Sequence, residues 1–391
     1  MIRRTALLVA LVAAVPAPAA AQSLFNAAGL GVPSDPLDAR TRALGGVGIG
    51  LRGPLLLGSD PAAAADYLLP SGSLTAQPAW VDFERSDVTE SGTFQGTRFP
   101  ALGIAYPTAH SMVVTLSLDS FLDQRYESRS SSTFSLGGDP VEVEDHFVSQ
   151  GGVSQLRLGV ARRLGRRVAV GVSAARYGGS ITRRLVRSFL GGVDTTAVSD
   201  YQDGGFWSYS GASLTGGASL DLGNVAHVAA SMTWSSSLDA TASEDTQGTS
   251  RSYDLPLQVR LGASAVVAPG LSLSAGLTHA DWSSLDGDLT DGASAGSTTS
   301  YGVGVELTRA RLLGRTAPLR VGYRRAELPF ALGSGTPSEK VWVGGLGLNL
   351  SQAGEVVRAS VDLALERGDR SDSVLSERFW RGTLTVRVAG F

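Results

Sequence analysis

The sequence predicts an all-β fold: a transmembrane antiparallel β-barrel of about 14 strands, with an N-terminal plug or hatch segment ahead of it. Three observations predict it. From Ser71 to the last residue, short runs alternate apolar and polar side chains. The connections between runs alternate between tight turns and long polar loops. The runs are roughly 9–14 residues long, the length that crosses a bilayer at a tilt and about double the mean soluble strand of roughly 5–6.

Residues 1–21 read as a secretory signal: Arg3 and Arg4 are the charged start, Thr5 to Val15 the apolar core, and Ala19-Ala20-Ala21 the cleavage site ahead of Gln22. The apolar run is too short for a membrane anchor, which needs roughly 20 residues. The rest of a twin-arginine signature is missing. After residue 21 no long uncharged apolar run occurs, so membrane residence of the mature chain requires a barrel or a surface association. The expected division is signal peptide 1–21, plug or hatch segment 22–70, and barrel 71–391.

Within the second part, Ala39 to Ala65 is rich in Gly and Ala and has no clean alternation. The strand-like runs then follow. The first is Ser71–Phe83. Thr97–Tyr106 and Ser111–Phe121 are joined by Pro107–His110. Gly152–Arg163 and Arg167–Tyr177 meet at Leu164-Gly165-Arg166, and Phe206–Leu222 and Val225–Ser235 at Gly223-Asn224. Asp254–Val267 and Leu271–Trp282 meet at Pro269-Gly270. Thr299–Ala310 and Ala317–Ala326 are joined by Leu312–Arg315, and Lys340–Leu350 and Glu355–Leu365 by Gln352-Ala353-Gly354. The last run is Arg378–Phe391. Long loops such as Leu122–Gly151 and Gly178–Gly205 separate these hairpins. Short turns on one side and long loops on the other give periplasmic turns and extracellular loops, and an even count puts both ends in the periplasm. The plug therefore enters from below. Phe391 falls on the opposite parity from Leu384, Val386 and Val388, which calls for a kink at Gly390 or a degenerate terminal signal.

Alternation also sorts the faces. Met112, Val114, Leu116 and Leu118 oppose Ser111, Thr115, Ser117 and Asp119; Val303, Val305 and Leu307 oppose Gly304, Glu306 and Thr308. The polar face carries Asp119, Arg157, Arg260, Glu306, Arg320, Arg324, Arg358 and Asp362, charges that are costly in lipid and so face the lumen. Between them lie many Gly, Ala and Ser, whose small side chains leave room for a plug or a ligand. The alternative is that the charges pair with one another inside a closed barrel.

Composition excludes several function classes. The net charge of −3 gives no bulk attraction to nucleic acid, and the absence of cysteine removes disulfides and thiolate chemistry. The four His residues, at 110, 146, 227 and 279, have no metal-ligand spacing. Gly292–Gly296 matches G-x-S-x-G and Gly48–Gly53 matches G-x-G-x-x-G, but neither has the strand and helix context its chemistry requires. Asp286, Asp288 and Asp291 lack the spacing of an EF-hand loop. No enzyme, cofactor or metal site is expected.

Two stretches carry a family resemblance. Arg42-Ala43-Leu44-Gly45-Gly46-Val47-Gly48 followed by Ser59-Asp60-Pro61-Ala62 resembles the start of the FadL/PorV superfamily of outer-membrane barrels, with Asp60 where that family has Asn. Tyr253-Asp254-Leu255-Pro256 with Asp281-Trp282-Ser283, and the tail from Glu366 to Trp380, are similar to later parts of those barrels. The resemblance implies a 14-stranded barrel with an N-terminal plug. It implies passage of hydrophobic molecules in the FadL branch, or service to a secretion system in the PorV branch; a structural barrel without transport is a third reading. Candidate ligand or plug residues are Leu44, the run Leu55-Leu56-Leu57, Asp60 and Pro61. A side opening would let an apolar solute leave toward lipid. The expected location is the outer membrane of a Gram-negative-type bacterium. The expected partners are outer-membrane lipid, a hydrophobic small-molecule ligand and, during biogenesis, the barrel-assembly machinery, with a monomer as the assembled form.

Overall fold

The computed structural model describes residues 23–86, 90–108, 111–136, 139–191, 200–246, 248–289, 294–312, 314–353 and 356–390. The signal segment, His110, Asp291, Gly292-Ala293 and Phe391 lie outside the described residues.

Fourteen strands form one closed antiparallel barrel. They are β1 (Ser71–Arg85), β2 (Glu90–Pro107), β3 (Met112–Asp123), β4 (Asp139–Leu164), β5 (Val168–Gly191), β6 (Tyr201–Leu222), β7 (Ala226–Ser235), β8 (Gln258–Ala268), β9 (Leu271–Asp281), β10 (Ser297–Leu307), β11 (Leu319–Glu327), β12 (Ser338–Ala353), β13 (Val356–Ser371) and β14 (Leu375–Ala389). Each pairs with the next, and β14 pairs back onto β1 from Ala389↔Ser71 to Leu375↔Arg85, which removes the free edge.

The faces follow the sequence pattern. Leu116, Leu118, Leu156, Leu158, Val303 and Val321 are exposed on the outside, while Asp119, Arg157, Glu306 and Arg320 are buried within. In lipid the outward apolar band is the stable arrangement, because each backbone polar group is already paired in the ladder. Aromatic residues Trp80, Tyr106, Trp234, Trp342 and Trp380 are also exposed on this outer face, a placement that suits an amphipathic ring at a membrane–water boundary.

Two expectations need correction. The stretches Leu122–Gly151 and Gly178–Gly205 are in large part strand. β4 begins at Asp139, β5 runs on to Gly191, β6 begins at Tyr201 and pairs with β5 as far as Arg187, and Tyr126–Leu136 forms a hairpin with β4, so four neighbouring strands rise well past the others. Their polar residues read as loop, but Val141, Val143 and Ile181 keep one face buried and hold the register. The eighth run is broken: Arg251–Asp254 is one piece, Gln258 starts the next, and Leu255-Pro256-Leu257 lies between, where Pro256 has no N–H to give a ladder. At the other end the final strand stops at Ala389 and Gly390 has φ 73°, the kink that the parity of Phe391 called for.

Candidate functional site

The N-terminal segment from Ser23 to Pro70 lies inside the barrel, and its own sequence shapes it. Asp38 caps a short helix over Ala39–Ala43 by accepting the Thr41 amide at 2.8 Å. Gly45 and Gly46 then take φ of 77° and 71° and return their amides to Arg42 and Thr41. Asp60 caps a second short helix, Pro61–Asp66, and its carboxylate accepts Gly50 N–H at 3.1 Å and Ala63 N–H at 3.3 Å. The family-like stretches thus specify two caps and a sharp reversal.

The wall is shaped to receive this segment. A Cβ added to Gly302 would stand 2.1 Å from the Gly45 oxygen, and one on Gly262 2.2 Å from the Ile49 oxygen. The same holds at Gly171 against Pro61, Gly103 against Leu56 and Gly345 against Ala43, at 2.4–2.5 Å. Gly262, Gly276 and Gly302 are direct cross-strand neighbours. Only a residue with no Cβ lets two backbones approach this closely. Hydroxyls complete the seat: Ser231 Oγ donates to the Ser59 carbonyl at 2.6 Å, and Thr385 Oγ1 accepts the Ala39 amide at 2.8 Å.

Charges tie the segment to the wall in two networks. In the first, Arg40 pairs with Glu306 at 3.1 Å, Glu306 with Arg320 at 2.8 Å, Arg320 with Asp362 at 2.6 Å, and Asp362 with Arg387 at 2.9 Å; Arg387 closes on Asp38. Burial pushes the Asp38 carboxyl up, but the Arg387 guanidinium and the Thr41 amide outweigh it and hold it below the ordinary carboxylate range. In the second, Ser23 donates to Glu377, Glu377 pairs with Arg370 at 3.1 Å, and Arg370 and Arg324 share Glu339. Arg381 pairs with Glu366 at 2.7 Å, and Arg42 reaches the same glutamate at 4.0 Å. Burial lowers the Arg42 guanidinium to about 10, with Arg324 and Arg381 nearby acting the same way and Glu366 opposing.

The residues singled out in the sequence fall into distinct places. Leu44, Leu55 and Leu57 pack on Leu37, Val47, Leu51 and Ala63 as the segment's own core, and Leu56 packs against the cluster of Ala64, Tyr67, Ala105, Val113 and Ala161. Asp60 and Pro61 form the second helix start. Asp119 sits 3.5 Å from Arg157, which also donates to Gln155, Ser173 and Thr215. Arg260 donates to Gln258 and Thr233. Glu306, Arg320 and Asp362 belong to the first network and Arg324 to the second; Arg358 is exposed beside the opening near Ser71 and Val388. Asp286 accepts the Ala295 amide at 2.8 Å.

Arg42, Arg98, Glu339, Glu366, Arg370, Glu377 and Arg381 are candidate-site residues that were not singled out in the sequence. Glu366 and Arg370 continue the inward parity of Arg358 and Asp362, a signal that ending the strand at Leu365 hid. With Arg260 and Arg324, five of these (Arg42, Arg98, Glu339, Arg370 and Arg381) line a lumenal cavity of about 150 Å³ between the N-terminal segment and the upper wall.

That upper wall has an interruption. The β2–β3 ladder runs only from Pro107↔Val113 to Ala101↔Asp119. At that point β2 bulges, with Thr75 opposite Ala101 but Gln77 opposite Arg98, so Phe99 and Pro100 face a single residue. The vacated edge of β3 is taken by the N-terminal segment: Val32 pairs with Asp123, Pro33 with Leu122, and Ser34 N–H donates to the Phe121 carbonyl at 2.8 Å.

No family model and no curated protein sequence matches the chain. Solved structures do. A Pseudomonas aeruginosa FadL homologue superposes with TM-score 0.66 at 12% identity, covering 92% of this chain and 100% of that one. The Ralstonia pickettii toluene transporter TbuX gives 0.57 at 13% identity, covering 91% and 98%. The Pseudomonas putida toluene transporter TodX gives 0.56 at 14%, also covering 91% and 98%. The chain is similar to these barrels along nearly its whole length.

Proposed function

We propose that this chain, which has the FadL-type barrel fold, admits hydrophobic small molecules, fatty-acid-like or aromatic, across the outer membrane of a Gram-negative-type bacterium. Residues 22–70 act as its hatch, and solute leaves sideways between β2 and β3. The observation that carries this reading is the gap in the β2–β3 ladder, filled by Val32-Pro33 rather than by wall. A two-residue strand is held by few bonds and leaves more readily than a barrel strand. The similar structures include two named as toluene transporters, which supports the same substrate class. The ion-paired networks around the hatch support a resting state closed to water.

The test uses the cysteine-free background. Val32→Cys with Asp123→Cys places two thiols on cross-strand partners. The oxidised variant should take up a labelled long-chain fatty acid or toluene more slowly than the reduced one, with assembly unchanged. Equal uptake in both states would sink lateral exit, and no uptake by the wild-type barrel would sink transport. The second reading, a barrel serving a secretion system, is favoured by one feature, the tall extracellular sheet of β4, β5 and residues 126–136. Capture of secretion subunits by this sheet would support it.

A further inference from the structure

The upper network has more guanidinium groups than carboxylates, and the surplus is local. Arg98 on β2 makes one side-chain hydrogen bond, Nε to Gln77 Oε1 at 2.5 Å, and Gln77 is held in turn by donating to Thr383 at 2.9 Å. Among the described residues, neither Nη of Arg98 has a partner. Beside it, Arg42 and Arg381 share the single carboxylate of Glu366. Arg42 is 2% exposed and its Nε is unpartnered; Arg381 is 7% exposed and its Nη2 is unpartnered. A buried guanidinium without its full set of acceptors is costly, and the buried Arg42 and Arg381 stand with the half-buried Arg98, so the place asks for an anion. The other acids nearby are engaged or lie elsewhere: Glu339 and Glu377 serve Arg324 and Arg370, Asp123 is clamped by Arg125, and Glu327 accepts the Thr299 amide. Asp35 also lines the cavity, as does the sixth guanidinium, Arg260.

The same cavity has an apolar side next to these arginines. Ala79 is the cross-strand partner of Arg381, and Val81, Val32, Pro33 and Phe379 continue the surface. A volume near 150 Å³ holds a benzene-sized group and is too small for a long acyl chain. A free pair of Nη atoms is the fork that matches a planar carboxylate.

We propose that this cavity is a binding site for a small aromatic monocarboxylate, with the carboxylate on Arg98 between Arg42 and Arg381 and the ring against Val81, Pro33 and Phe379. The inference rests on the reading of the lumen as a solute path and names the solute. It separates this barrel from one that takes neutral hydrocarbon only.

The experiment is calorimetric titration of the purified full-length barrel in detergent with benzoate, benzamide and inorganic phosphate. Benzamide keeps the shape and loses the charge. Benzoate is expected to bind at least about tenfold more tightly than benzamide, the size of one charge-assisted contact, and more tightly than phosphate. Arg98→Gln should abolish that preference. Equal affinity for benzoate and benzamide in the wild-type protein overturns the proposal, whether or not the variant folds. So does phosphate binding as well as benzoate, or a preference that survives Arg98→Gln. Binding is read without transport, so benzoate binding in a barrel that passes no solute would overturn the proposed function and leave the site standing.

Discussion

The amide nitrogen of Gly45 lies 2.1 Å from where a Cβ on Gly322 would stand. The two backbones touch, one from the N-terminal segment and one from the barrel wall, and no other residue type allows it. Gly322→Val should therefore force residues 44–46 off the wall, with an overpacking cost of about 1–3 kcal/mol falling on the segment rather than on the barrel ladder. The check is conductance in planar bilayers beside heat-modifiable gel migration. Higher conductance with normal migration is expected; an unchanged, silent barrel would mean the contact is not structural.

Arg387 joins the segment to the wall through Asp38 and Asp362. Arg387→Leu leaves two buried carboxylates without their shared cation, a loss of roughly 3–5 kcal/mol. A lower thermal midpoint and faster protease cleavage within residues 23–70 are expected, while Arg387→Lys should recover part of the loss. A wild-type cleavage rate in Arg387→Leu would count against the network as an anchor.

Asp60 stands where the resemblance to the FadL/PorV superfamily implies an Asn. Its two amide contacts need an acceptor and not a charge, so Asp60→Asn should be tolerated and Asp60→Ala should cost about 1 kcal/mol as a lost cap. Burial pushes the Asp60 carboxyl above its usual value. A raised folded pKa means its contribution is fully present below the ordinary value of 3.8 and is lost as pH rises through the folded one. Asp38 has the opposite sign, so the difference between wild type and Asp60→Asn isolates the effect. Hydrogen exchange of residues 49–66 should rise with pH more in wild type than in Asp60→Asn; parallel profiles would contradict it.

The β2–β3 ladder ends at Ala101 beside the β2 bulge at Phe99-Pro100, where Pro100 has no N–H to extend it. Pro100→Val should let the β2–β3 ladder extend and slow uptake of a hydrophobic probe. Protection from exchange of the backbone amide that the substitution introduces is the direct readout, and a freely exchanging amide there would show that the bulge has another cause.

Much of the barrel was legible because its period is simple. Met112 to Leu118 and Tyr301 to Leu307 alternate without a fault, and each is a strand within three residues of the bounds read from sequence. The tall strands β4 and β5 were not legible past Gly152 and Tyr177, because their few inward apolar residues, Val141, Val143 and Ile181 among them, are set in polar runs that read as loop. For the candidate site, inward parity placed Asp119, Arg157, Glu306 and Arg324 in the lumen, but parity says nothing of partners several strands away. Glu306 meets Arg320 across one ladder, whereas Arg387 meets Asp38 across 349 positions of sequence. The contacts of Gly302 and Gly322 were hidden for a different reason: 49 glycines serve turns as well as walls, and composition does not say which.

The most direct test of the N-terminal segment as the element that closes the lumen is single-channel conductance of the barrel lacking Gly45–Ala65. The expected result is an assembled, heat-modifiable barrel with large, non-selective conductance where the intact chain has little. An assembled barrel whose conductance equals that of the intact chain would contradict it.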